Sequence, residues 1–175
     1  MNDQPDDIVK PTRERMRRAP GYDELTETQA GGTTRKSGAV RVWSQLENLY
    51  RNRRLTDEQY QAGQKYYADW YLGLGAGRSI TMRWSEYISG LGGSGNLDAA
   101  ERRVFHRKRF AEANKLLDDM GTRKAIHWFV INDTPCGAIG KKFWGYREVR
   151  TASAGASTSI AISLQRLAKF YGLAK

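Results

Sequence analysis

Apolar and small residues follow a helical period through the C-terminal part of the chain. A short apolar segment that begins at Thr134 runs into an aromatic turn at residues 143–150. A longer helix is predicted from Thr151 to Tyr171, with small and hydroxyl residues in its first half and apolar residues in its second. A helix with a narrow, polar first half can enter a DNA groove while its apolar second half packs in the core. The pattern therefore predicts a helix-turn-helix-like unit over residues 134–172.

The same period predicts helices ahead of this unit. Thr56 and Gln59 form a capping box that opens one of them, and a glycine-rich crossing segment at residues 73–95 follows it. No segment alternates with period two, so we predict an all-α fold, a small helical domain ending in the helix-turn-helix-like unit. The predicted helices cover residues 40–53, 57–74, 97–120 and 122–131.

The first 38 residues lack an apolar period and are rich in Asp, Arg, Pro, Gly and Thr. We therefore expect a disordered basic arm over residues 1–38, followed by a helical DNA-binding domain over residues 39–175. A basic arm can lie along phosphates or reach into a minor groove, and its alternative role is a solubilising tail.

The net charge of the chain indicates which kind of partner it binds. The 175 residues carry a net charge of +10, and the basic residues are clustered. Such a balance favours a polyanion, meaning DNA, RNA or an anionic membrane surface. The sequence contains no signal peptide and no run near the roughly 18 apolar residues of a membrane span, so we expect a cytoplasmic protein of a bacterial host cell with no membrane partner.

The sequence offers little for catalysis or metal binding. The single cysteine, Cys136, excludes an internal disulfide and a cysteine-rich zinc site. His106 and His127 lie on different predicted helices without a second ligand at helical spacing. We therefore expect no catalytic residue, no metal and no cofactor. The adjacent Asp118 and Asp119 leave a metal-dependent nuclease open as an alternative.

The basic clusters of the terminal unit indicate DNA contacts. Arg147 and Arg150 precede the long helix and are candidates for guanine or phosphate contacts, and hydroxyl groups at its front can bond to base edges. The same small and hydroxyl residues would also suit close helix packing. The candidate DNA-binding residues are Lys141, Lys142, Arg147, Arg150, Ser153, Ser157 and Thr158. Further candidates for phosphate contacts are Arg13, Arg17, Arg18, Arg102 and Arg109.

The end of the chain resembles the helix-turn-helix of sigma-factor region four. Ile139 and Gly140 resemble its first-helix signature, and Ile160, Leu164 and Leu167 resemble the apolar spacing of its recognition helix. The predicted turn departs from this pattern, because a compact helix-turn-helix joins its helices by about three or four residues.

Residues 58–173 also resemble an uncharacterised helical domain of alphaproteobacterial helix-turn-helix regulators and related phage or gene-transfer-agent proteins. The resemblance implies transcriptional control in a bacterium or phage and brings no catalytic residues. Tyr146 and Arg147 stand near where that group often has a Trp-Pro pair. The matching residues are Gly63, Tyr67, Asp69, Trp70, Arg78, Thr81, Trp84, Ala111, Ala113, Leu117, Met120, Gly121, Thr151, Leu164, Leu167, Ala168, Tyr171 and Gly172.

We therefore expect a DNA-binding transcription regulator of phage or bacterial origin, with double-stranded DNA and host RNA polymerase as partners in activation or antitermination. One alternative is a phage small terminase subunit, a ring-forming adaptor for DNA packaging, and another is the nuclease. In a further alternative, Trp144 and Tyr146 form the contact with polymerase or another protein. An oligomer is open in each case.

Overall fold

Six α-helices make up most of the part of the chain that the computed structural model describes, namely Arg17 and residues 20–28, 34–75, 99–117 and 120–174. The predicted all-α class is confirmed. The helices are α1 (Gln45–Arg51), α2 (Asp57–Trp70), α3 (Ala99–Leu116), α4 (Met120–Val130), α5 (Cys136–Trp144) and α6 (Val149–Phe170), with a π-helical turn (Tyr71–Gly75) directly after α2. Most of the predicted crossing segment lies outside the described residues.

A β-hairpin precedes the helices and corrects the predicted arm at residues 22–28 and 34–38. Strands β1 (Tyr22–Thr28) and β2 (Thr34–Val42) pair antiparallel, with Tyr22 opposite Val42. Threonine occurs in both strands and two valines lie in β2, and β-branched residues favour extended backbone. Residues 1–16 lie outside the described residues.

The first helix starts later than predicted because β2 continues through Val42. Helix α1 begins at Gln45, after Ser44, whose hydroxyl accepts a hydrogen bond from the Glu47 N–H at 3.1 Å. A serine in this position satisfies one of the amide donors that a helix start leaves open. The cap therefore fixes the boundary between strand and helix.

Charged groups hold the hairpin against α1. Arg51 of α1 lies 2.6 Å from the carboxylate of Asp23 on β1 and covers the ring of Trp43 at 4.2 Å. The buried Glu47 pairs with both Arg51 and Arg41 of β2. The hairpin is thus attached to the helical body through α1.

The hydrophobic core lies where α6 packs against α2 and α5. The apolar second half of α6 is anchored there as predicted, because Ile160, Leu164 and Leu167 are at most 1% exposed. Gly172 has a φ of +68° and follows the end of the helix, which confirms the predicted stop. The capping box of α2 is also confirmed, with hydrogen bonds in both directions between Thr56 and Gln59.

The turn between α5 and α6 is shorter than the sequence pattern predicts. Helix α5 continues through Trp144 and α6 starts at Val149, so residues 145–148 alone join them. The aromatic residues at 143 and 144 therefore belong to α5. This four-residue connection is within the length of about three or four residues that joins the helices of a compact helix-turn-helix.

Candidate nucleic-acid interface

Helices α5 and α6 are in backbone contact. A Cβ atom placed on Gly140 would lie 2.3 Å from the carbonyl oxygen of Ala152, a distance that no side chain tolerates. One turn earlier, a Cβ atom on Gly137 would meet Val149 at an ordinary 3.6 Å. Only glycine at position 140 permits this approach, so the pair packs as a single unit.

The turn itself is fixed at both ends. Gly145 adopts a left-handed conformation with φ of +67° and closes α5, which is the conformation that glycine adopts at least cost. The Tyr146 ring folds back over α6, where a Cβ atom on Gly155 would lie 2.8 Å from the tyrosine hydroxyl oxygen. The turn therefore presents its remaining side chains from a defined position.

Four exposed cations surround this turn. Lys141 and Lys142 occupy the last turn of α5, Arg147 lies in the connection, and Arg150 is the second residue of α6. Within the described residues, none of the four forms an ion pair with an acidic side chain. Glu148 is the only acidic residue in the sequence from position 134 onward. The structure thus brings together the four basic candidates of the terminal unit.

The three hydroxyl candidates lie in different environments. Ser157 is buried and its hydroxyl donates to the Ala154 carbonyl at 2.9 Å, which leaves it out of reach of a ligand. Ser153 is half-buried on the side of α6 that faces Gly137. Thr158 is exposed, and its hydroxyl also donates to Ala154. The small residues of α6 therefore mainly serve its close packing.

An exposed ridge on α6 contains the candidates Arg150 and Thr158 together with three residues that the sequence pattern did not single out. Its members lie four residues apart and thus follow one another along the helix surface. The sequence does contain this pattern, since an arginine lies at each end of a row of short or apolar side chains spaced four residues apart. The ridge consists of Arg150, Ala154, Thr158, Ile162 and Arg166.

The aromatic candidates for a protein contact are partly used within the chain. Trp144 is half-buried and packs against the core. Tyr146 is 37% exposed, but its ring covers Gly155. Neither residue forms a fully exposed aromatic anchor.

The remaining phosphate candidates are dispersed. Arg17 and Arg102 are exposed, whereas Arg13 and Arg18 lie outside the described residues. Arg109 points inward: its Nε lies 3.5 Å from the Asp69 carboxylate and its guanidinium covers the Tyr171 ring at 4.8 Å. This contact makes Arg109 a structural residue, contrary to the predicted phosphate contact.

Asp69 is the centre of a buried polar cluster that the local sequence pattern does not predict. Its Oδ1 lies 2.7 Å from Nδ1 of His106, and its Oδ2 accepts a hydrogen bond from the Tyr171 hydroxyl at 2.9 Å. Burial, followed by the nearby Asp69 charge, raises the pKa of Tyr171 far above its ordinary value, so the phenol stays protonated. Both carboxylate oxygens are engaged, and the cluster ties α2, α3 and the end of α6 together.

Metal and thiol chemistry find little support in the described residues. No group of three His, Cys, Asp or Glu side chains there is placed to hold a metal ion. Burial raises the pKa of the Cys136 thiol to about 11, which keeps it in its unreactive protonated form. Asp118 and Asp119, the candidates for a nuclease, lie outside the described residues.

Among the described helices, none combines the length and the apolar character needed to cross a bilayer.

His127 is expected to make the fold less stable in acid. Burial lowers the pKa of His127 from its ordinary 6.5, so the folded protein binds this proton less readily than the unfolded chain. The free energy of unfolding should therefore fall as the pH drops through and below 6.5. Urea unfolding at about pH 7.5 and about pH 5.5 measures this loss, and His127→Gln should reduce it. An equal loss in the variant would contradict the assignment.

No protein-family model, curated protein or solved structure matches the chain.

Proposed function

We propose that this chain is a DNA-binding protein whose α5–α6 unit contacts double-stranded DNA, and that it regulates transcription in a bacterium or phage. The observation that carries the proposal is the group of four exposed cations around the turn between two helices in backbone contact, none of which forms an ion pair with a described acidic side chain. A rigid unit with clustered positive charge suits the phosphate backbone, because binding releases the counterions condensed on DNA.

The exposed ridge on α6 suits a position in the major groove. Its two arginines are 16 residues apart, which corresponds to about 24 Å along a helix. Between them, Ala154, Thr158 and Ile162 present methyl groups and no bulky ring. A slim helix surface can approach base edges, and methyl groups there favour contact with the thymine methyl. In that position the arginines at either end would contact the flanking phosphates.

The four-residue turn supports the resemblance to sigma-factor region four as part of the same proposal. In that arrangement RNA polymerase is the protein partner, and the exposed part of Tyr146 and the exposed Val149 side chain are available for contact.

Replacing two arginines tests the proposal. Arg147→Ala combined with Arg150→Ala should weaken duplex binding by tenfold or more at low salt, roughly the effect of two lost phosphate contacts. The slope of log K against log salt should become shallower by about 1.8 for the same reason. Fluorescence anisotropy with a labelled promoter-length duplex, titrated across salt concentrations, measures both quantities.

A matched variant tests whether the loss of affinity comes from this interface or from the lower net charge. Lys108 and Lys115 are exposed on α3, seven residues apart on one face of that helix. Lys108→Ala combined with Lys115→Ala removes the same charge and should leave the affinity within about threefold. Equal losses in the two double variants would reduce the effect to net charge and overturn the proposed interface.

A further inference from the structure

A cleft between α3 and α4 lies apart from the exposed ridge of α6. Its volume is about 300 Å³, at the lower end of the range for small-ligand sites. The residues that line it are Phe110, Asn114, Arg123, Lys124, His127 and Trp128.

The walls of the cleft are aromatic and its rim is basic. Phe110 is buried, and Trp128 is half-buried with its ring nearly perpendicular to that of Phe143 at a centroid distance of 5.6 Å. Arg123 and Lys124 are exposed, and none of the six described lining residues is acidic. Aromatic side chains beside two cations suit a planar ring that carries a negative group.

Asn114 adds a fixed polar group to this cleft. Its side-chain oxygen accepts a hydrogen bond from the Tyr66 hydroxyl at 2.9 Å, and its amide nitrogen donates to the Phe110 carbonyl at 3.0 Å. An amide nitrogen carries two N–H groups, and the second forms no hydrogen bond to the described residues. The orientation of the amide is set from two sides before any ligand binds.

The cleft adjoins the basic residues of the α5–α6 unit. Lys142, one of the four cations around the turn, places its Nζ 3.7 Å above the ring of Trp128. Trp128 therefore belongs both to the wall of the cleft and to the border of the proposed DNA interface. A strand that contacts Lys142 would therefore lie next to one wall of the cleft.

We propose that this cleft binds one unpaired nucleotide of a nucleic-acid strand, with the base against Phe110 and Trp128 and the phosphate held by Arg123 and Lys124. The inference takes its ligand class from the proposed nucleic-acid-binding function. Paired bases are stacked inside a duplex, so only a single-stranded or extruded nucleotide presents a ring face to the cleft. The α5–α6 unit would then hold duplex DNA while the cleft holds an opened strand.

The test uses the full chain and three probes: a labelled oligothymidylate of about 12 nucleotides, a duplex of equal length, and thymidine monophosphate. Arg123→Ala combined with Lys124→Ala should weaken single-strand binding by about ten- to a hundredfold and duplex binding by less than about threefold. The Lys108→Ala, Lys115→Ala protein is the charge-matched control and should stay within about threefold for both. Photo-crosslinking with 5-iodouracil in the strand should label the peptide that contains Trp128.

The outcomes separate this inference from the α5–α6 interface. Cleft-dependent binding of the single strand without any duplex binding would sustain the cleft and refute the duplex interface. Single-strand binding that is absent, or that the cleft variant and the control weaken equally, overturns the inference. A crosslink to a peptide that does not contain Trp128 also overturns the inference. Thymidine monophosphate that occupies the cleft where the oligonucleotide does not would assign the site to a free small molecule and also overturn it.

Discussion

Gly140→Ala is expected to separate α5 from α6 and to lower both stability and DNA affinity. The new methyl group would lie 2.3 Å from the Ala152 carbonyl oxygen, and a backbone atom cannot move aside as a flexible side chain does. Overpacking of this kind costs about 1–3 kcal/mol, more than the roughly 1 kcal/mol that alanine gains over glycine in a helix. Urea unfolding measures the stability, and anisotropy with the duplex measures the affinity.

Gly137→Ala provides the matched control on the same helix. There the added methyl group would meet the Val149 side chain at 3.6 Å, an ordinary contact. Helix propensity alone should then act, and the variant should be as stable as the wild type or up to about 1 kcal/mol more stable. If both alanine variants behave alike, the backbone contact at Gly140 is not what holds the two helices together.

The sequence predicted the parts of the fold that depend on local periodicity and capping. Ile160, Leu164 and Leu167 repeat at helical spacing, and all three are buried on α6. The hairpin was missed because Val42 lies four residues before Leu46 and seven before Leu49, a spacing that also fits one face of a helix. Ser44 carried the deciding signal, since a serine cap marks where a helix can begin.

The site was predictable for its charges and much less so for its hydroxyl groups. Lysine and arginine are rarely buried, so the exposure of Lys141 and Arg150 follows from residue type. Serine suits either a surface or a tight helix contact, and which occurs at Ser157 depends on packing partners elsewhere in the chain. Such long-range partners leave no trace in the local pattern.

The contacts of the Asp69 cluster join residues that are even farther apart in the sequence, so the local pattern could not predict them. His106 lies 37 residues from Asp69 in the sequence and Tyr171 lies 102 residues away. Neither separation corresponds to a turn, a helix face or a strand register. Arg109 was assigned to phosphate because its type and neighbours suggested a basic surface, whereas the buried carboxylate draws it inward.

An exposed ion pair provides the reference for the energy of that cluster. Asp23 and Arg51 are 2.6 Å apart, but their side chains are 34% and 40% exposed. Solvent screens such a pair, so Asp23→Ala should cost less than about 1 kcal/mol. The comparison matters because both sites join a carboxylate to a guanidinium and differ chiefly in burial.

Asp69→Ala is expected to be among the most destabilising single substitutions in the described chain. It would leave the buried His106 ring and the Tyr171 hydroxyl without their acceptor, at a cost of about 3–5 kcal/mol, a large fraction of a typical folding free energy. Tyr171→Phe should cost about 1.5–3 kcal/mol, and the double variant less than the sum of the two, because both remove the same bond. Urea unfolding of the three variants completes the cycle. Additive losses, or a cost for Asp69→Ala no larger than that for Asp23→Ala, would refute the idea that this cluster holds α2, α3 and α6 together.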